Sequence, residues 1–136
     1  MPRVDFLGTG NAFSPHGRMH ALALIDGDIL IDAPPTVITQ LKRSGYSSGQ
    51  IRHLLFTHWH GDHIFGFPFM MLERKFVTNR EMEVGLDIYL RPGGKEILNG
   101  LCETGFPGSL ESLDTMVNWN EEEDGDVGDT DWKFNR

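Results

Sequence analysis

Apolar and polar residues alternate over Arg3–Leu7, with Val4 and Phe6 on the apolar side, and the run meets Gly8-Thr9-Gly10. This pattern predicts a first strand entering a glycine-rich turn. Ala21–Ile25 and Ile29–Ile31 flank Asp26-Gly27-Asp28, a strong β-hairpin signal. Pro34-Pro35 opens a helical pattern in which Val37, Ile38 and Leu41 share a face, Lys42 and Arg43 lie near the carboxyl end, and Gly45 marks a stop. Ile51–Thr57 hardly alternates around Leu54-Leu55-Phe56. It reads as a strand buried on both faces, as in a helix-covered sheet. The spacing predicts a helix over Ile64–Phe76, regular only after Gly66 and Pro68. A strand over Leu86–Leu90 and a helix over Pro92–Thr104, closed by Gly105, follow, then short strands at Thr115–Trp119 and Trp132–Phe134. Strands mixed with helices predict an α/β layered fold.

Composition narrows this further. The 136 residues suit one domain, and 39% hydrophobic with 24% charged residues is a globular balance. Twenty acids against twelve bases give a net charge of −8, which excludes a global basic field for nucleic acid or anionic membrane. Any RNA contact must be local, at Lys42-Arg43, Arg52 or Arg74-Lys75, positions that ordinary surface charge explains equally well. The lone Cys102 excludes an intrachain disulfide and a multi-cysteine metal site, and it suits a reducing, cytoplasmic setting. No apolar run approaches the roughly 18 residues that span a bilayer, and the acid-bearing start is unlike a signal peptide. Residues 121–131 hold seven acids in eleven positions. They fail the calcium-loop pattern, because Asp129 stands where glycine is needed counting from Asp124. A solvated acidic loop between two strands is expected there.

The chemistry concentrates in Thr57-His58-Trp59-His60-Gly61-Asp62-His63, which places three of the six histidines within six positions. Neutral imidazole and carboxylate are the common ligands of zinc and related divalent ions. His58 and His60 share a face in an extended segment, whereas the neighbours Asp62 and His63 share a face in no regular element. A turn leaving a strand end divides them, with His58 and His60 serving one ion and Asp62 and His63 a second. Gly61 is expected to supply backbone freedom for that turn. Two such ions would clamp the attacking and leaving oxygens of a hydrolysis. Singly, each residue has a plainer reading: Asp62 as a helix N-cap, His58 as a strand end, His60 as an exposed loop residue. His16, His20 and His53 lack ligand spacing and are expected to be surface or packing residues. Trp59 either lines the substrate entrance or packs beneath the loop.

His58-x-His60-x-Asp62-His63 after an apolar strand resembles the signature of the metallo-β-lactamase superfamily. Phe6-Leu7-Gly8-Thr9-Gly10 resembles its first strand and turn, and Ile29-Leu30-Ile31-Asp32 the hairpin strand that ends in an aspartate. His63-Ile64-Phe65-Gly66-Phe67-Pro68 is similar to the segment after the metal motif in the ribonuclease Z branch, the tRNA 3′-end endonucleases. That branch usually carries a Gly-Glu-Gly-Thr-Gln-like stretch after the hairpin aspartate, where this chain has Ala33-Pro34-Pro35-Thr36-Val37.

The resemblance implies a four-layer αβ/βα sandwich, with residues 1–136 as a single partial domain, the N-terminal half, having a mixed sheet and flanking helices. It implies two divalent metal ions, zinc or else manganese or iron, held by His58, His60, Asp62 and His63. Asp62 would also orient the attacking oxygen or shuttle its proton, and the helix beginning near Asp62 would point its positive end at an anionic transition state. The family's second half brings a further histidine to each ion and a bridging aspartate. No histidine follows His63 here, so the chain is expected to be cut short and to need its missing half or an oligomer partner. Three functions stay open: a metal-dependent phosphodiesterase or ribonuclease Z-like endonuclease acting on a small-molecule or RNA phosphodiester, a lactone, thioester or other acyl-ester hydrolase, and a non-catalytic metal-binding half-domain.

Overall fold

The computed structural model describes residues 2–79 and 84–135. Its centre is a six-stranded mixed sheet in the order β1 (Val4–Gly8), β2 (Leu22–Ile25), β3 (Ile29–Ile31), β4 (His53–Leu55), β5 (Leu86–Leu90) and β6 (Val117–Glu121). The first three strands are antiparallel, and β3 to β6 run parallel. The hairpin joining β2 and β3 follows from its sequence. Asp26 and Gly27, the central residues of the turn, have φ of 53° and 78°, as a tight hairpin turn requires.

Helices α1 (Val37–Arg43), α3 (Phe67–Glu73) and α4 (Gly94–Gly105) cover one face of the sheet. Val37 and Leu41, Phe67, Met70 and Met71, and Leu98 and Cys102 pack there against Leu24, Leu30, Leu54 and Ile88. On the other face Ile29, Leu55 and Tyr89 meet Val127, flanked by Trp132 and Phe134. The strand at 53–55 is buried on both faces as expected, but its second cover is a β-ribbon and not a helix.

The remaining differences have local causes. β4 is shorter than Ile51–Thr57 because Ser47 and Gln50 form a capping box around a short 3₁₀ turn before it. The predicted helix over Ile64–Phe76 splits into α2 (Gly61–Ile64), α3 and a π-helical turn at Arg74–Thr78. Gly66 sits at the break, where a Cβ would lie 1.8 Å from the Pro34 carbonyl oxygen. Thr115 and Met116 belong to a helical turn, α5 (Leu113–Met116), ahead of β6. The acidic segment is not wholly loop. Asp124–Asp126 forms β7 and pairs with β8 (Lys133–Asn135), because Val127 folds inward and brings the flanking backbone together. No helix among the described residues is long and apolar enough to cross a membrane.

Candidate metal centre

The parallel strands end at one edge, and open α/β sheets hold ligands outside those carboxyl ends. β3 runs out into Asp32, and β4 into Phe56 and Thr57, followed by the loop that leads to α2. His58, His60 and His63 come together there, with ring centroids of His58 4.7 Å from His60 and 4.0 Å from His63. Asp62 Oδ2 lies 3.2 Å from His63 Nε2. The four residues singled out by spacing are thus gathered at one edge.

His60 occupies the N-cap position of α2, and Asp62 sits inside the first turn without a side-chain cap bond, so Asp62 is not spent as a cap. Gly61 corrects an expectation. Its φ is not positive, so no left-handed turn is made there, and a Cβ would press on the half-exposed Phe65 ring. The helix dipole is corrected too, because α2 is a single turn of four residues and a macrodipole needs length. Trp59 packs beneath the loop, its ring 5.7 Å from Phe56 and pressed on Gly94.

Asp32 is the residue that spacing alone left without a role. It lies buried with φ of 72°, a conformation seldom taken by a side-chain-bearing residue. Its Oδ1 accepts from the Thr57 amide at 2.8 Å, and its Oδ2 accepts from the Thr57 hydroxyl and from His63 Nδ1, both at 2.7 Å. The only sequence signal was an acid placed directly after a buried apolar strand.

Burial, followed by the nearby His63 and His60 rings, lowers the His58 pKa against the pull of Asp32 and Asp62. That favours the neutral imidazole a metal requires. His63 is held between two carboxylates, its Nδ1 2.7 Å from Asp32 Oδ2 and its Nε2 facing Asp62. The donor types therefore fit divalent metal. Among the described residues, however, no three His, Cys, Asp or Glu side chains are arranged to hold one ion, and a catalytic zinc usually has three protein ligands.

Other candidates fall away. His53 sits at the amino end of β4, buried, with Nδ1 3.2 Å from the Tyr89 hydroxyl. His16 is exposed, and the His20 carbonyl accepts from Gln40 Nε2 at 2.8 Å. Burial pushes the Cys102 thiol up to about 12, so it is no nucleophile at neutral pH. Arg74 is corrected from surface charge to core. It is fully buried, donating to the carbonyls of Ser48, Ile51 and Val84. Lys75 donates to the Ser109 carbonyl, and Lys42 pairs with Glu73.

A family profile described as Anti-Pycsar protein Apyc1 matches residues 2–123. Ribonuclease Z of Methanothermobacter thermautotrophicus is 35% identical over 134 residues, which is 96% of this chain and 41% of that protein. The Bos taurus protein named zinc phosphodiesterase ELAC protein 1 is 42% identical over 96 residues, 65% of this chain and 26% of the relative. The crystal structure of human tRNase Z, short form, superposes with a TM-score of 0.66 at 25% identity, covering 88% of this chain and 44% of that one. The chain thus spans well under two thirds of the relatives it matches. It belongs to the family described as Anti-Pycsar protein Apyc1, in the ribonuclease Z-like branch of the metallo-β-lactamase superfamily.

Proposed function

We propose that these residues form the metal-binding part of a phosphodiester hydrolase. The supporting observation is the gathering of His58, His60, Asp62 and His63 at the carboxyl edge of the sheet, braced by Asp32. His58 and His60 would hold one divalent ion, and Asp62 and His63 a second. Zinc is the first candidate, since one relative bears it in its name. Bound there, the ions supply the positive charge that polarises a phosphoryl group. Asp32 and Thr57 orient the imidazoles, Trp59 supports the loop from below, and Asp62 holds or moves a proton at its free carboxylate oxygen. The pairs fall short of complete coordination, so we assign the remaining donors to residues outside this chain, either further along the protein or on a partner.

A phosphodiester, and not an acyl ester, is favoured by relatives named ribonuclease Z and zinc phosphodiesterase. Ribonuclease Z-like cleavage of precursor tRNA is the first reading. A small-molecule phosphodiester is the second, favoured by two observations: the matching profile carries another name, and Ala33-Pro34-Pro35 replaces the Gly-Glu-Gly-Thr-Gln-like stretch.

Assays of the complete protein with zinc, on precursor tRNA, a chromogenic phosphodiester and an acyl ester side by side, separate these readings. Asp62→Ala is expected to lower phosphodiester hydrolysis by about a hundredfold or more, the scale of a lost acid–base group. Undiminished turnover in that variant, or hydrolysis of the acyl ester alone, contradicts the assignment.

A further inference from the structure

The bonds around Thr57 leave little freedom in where protons reside. The Thr57 hydroxyl has one proton and donates it to Asp32 Oδ2, 2.7 Å away. Toward His58 Nδ1, at 2.9 Å, the same hydroxyl oxygen must then act as acceptor. His58 therefore carries its proton on Nδ1 and presents Nε2 as a lone pair. His63 Nδ1 meets the same carboxylate at 2.7 Å, but its Nε2 lies 3.2 Å from Asp62 Oδ2, so Asp32 alone does not fix where its proton resides. The arrangement is anchored from the backbone as well. Thr57 N–H donates to Asp32 Oδ1 at 2.8 Å, and Ala33 N–H donates to the His63 carbonyl at 2.8 Å.

We infer that Thr57 is a positioning residue that relays Asp32 to His58, so that a buried carboxylate sets the ring orientation and tautomer of His58 through one hydroxyl. The hydrogen bond made by one ring nitrogen decides the state of the other. Breaking the Thr57 link thus frees His58 alone. The inference rests on the metal reading above only for its purpose, since the tautomers exist without a metal.

The test uses the 136-residue chain, metal-free and ¹⁵N-labelled, with long-range ¹H–¹⁵N spectra of the imidazoles at a pH where they are neutral. In the native chain His58 is expected as the Nδ1–H tautomer. In Thr57→Val, which keeps the branched shape and loses the hydroxyl, His58 shifts toward the Nε2–H form that free imidazole favours, and His63 does not. Thr57→Ser restores the native pattern. In the complete protein, zinc binding weakens about 10–100-fold in Thr57→Val, the usual range for a lost outer partner, and recovers in Thr57→Ser. A His58 that keeps Nδ1–H in Thr57→Val overturns the relay, as does a shift at both histidines without recovery in Thr57→Ser. Tautomers that respond as expected leave the relay standing whatever zinc does, whereas a complete protein that takes up no zinc overturns the metal reading alone.

Discussion

Gly94 carries no side chain because Trp59 fills the space one would need. A Cβ there would lie 2.5 Å from the Trp59 ring and 2.6 Å from Leu90. The ring is rigid and sits in the metal loop, so the loop must move to admit even a methyl group. Gly94→Ala is expected to cost about 1–3 kcal/mol, as overpacking does, measured by urea denaturation. Trp59→Phe in the same chain shrinks the ring and recovers part of that loss, giving a non-additive pair. Strictly additive costs would show that the methyl meets something else. This link was half legible. The sequence placed Trp59 in the loop but could not say which way it faced, because the partner lies 35 residues on and is marked only by a missing side chain.

At the scale of elements, the stretch after the metal motif shows where periodicity stops being informative. The apolar pattern over Ile64–Phe76 is helical, and helices do form, but in three pieces. The first break is made by Gly66, whose amide donates to the Ala33 carbonyl at 2.9 Å. At the far end, the Arg74 guanidinium holds carbonyls of the Ser48–Ile51 segment and of Val84, at the point where the helix takes a π turn. Position 74 looks like a charge on a helix surface, and only the packing of distant loops makes it a core residue. Arg74→Met keeps the length and removes every donor, leaving three buried carbonyls without it. The expected loss is about 3–5 kcal/mol, and Arg74→Lys recovers only part, since a point charge cannot reproduce the planar fork. Denaturation midpoints for both variants check this, and a loss below 1 kcal/mol for Arg74→Met would refute the bracing role.

For the whole molecule, the two faces of the sheet are unequal. The helical face is closed, with Leu24 fully buried, while on the ribbon side Phe6 of the edge strand is 73% exposed. Leu24→Ala is expected to cost about 2–5 kcal/mol, the range for an emptied core position. Phe6→Ser should fall within about 0.5 kcal/mol of the native chain, as surface changes do. Comparable losses by calorimetry would mean that the ribbon side carries as much of the stability as the helical side. The sequence by itself determined the hairpin, the α/β layering, and which three histidines and which aspartate cluster, because each of these depends on spacing within a few residues. Tertiary structure decided the rest: that Asp32 braces Thr57 and His63 from 25 and 31 residues away, that Arg74 is buried, and that no three donors converge among the described residues. Those outcomes depend on which strand ends meet at one edge, and local pattern carries no record of that.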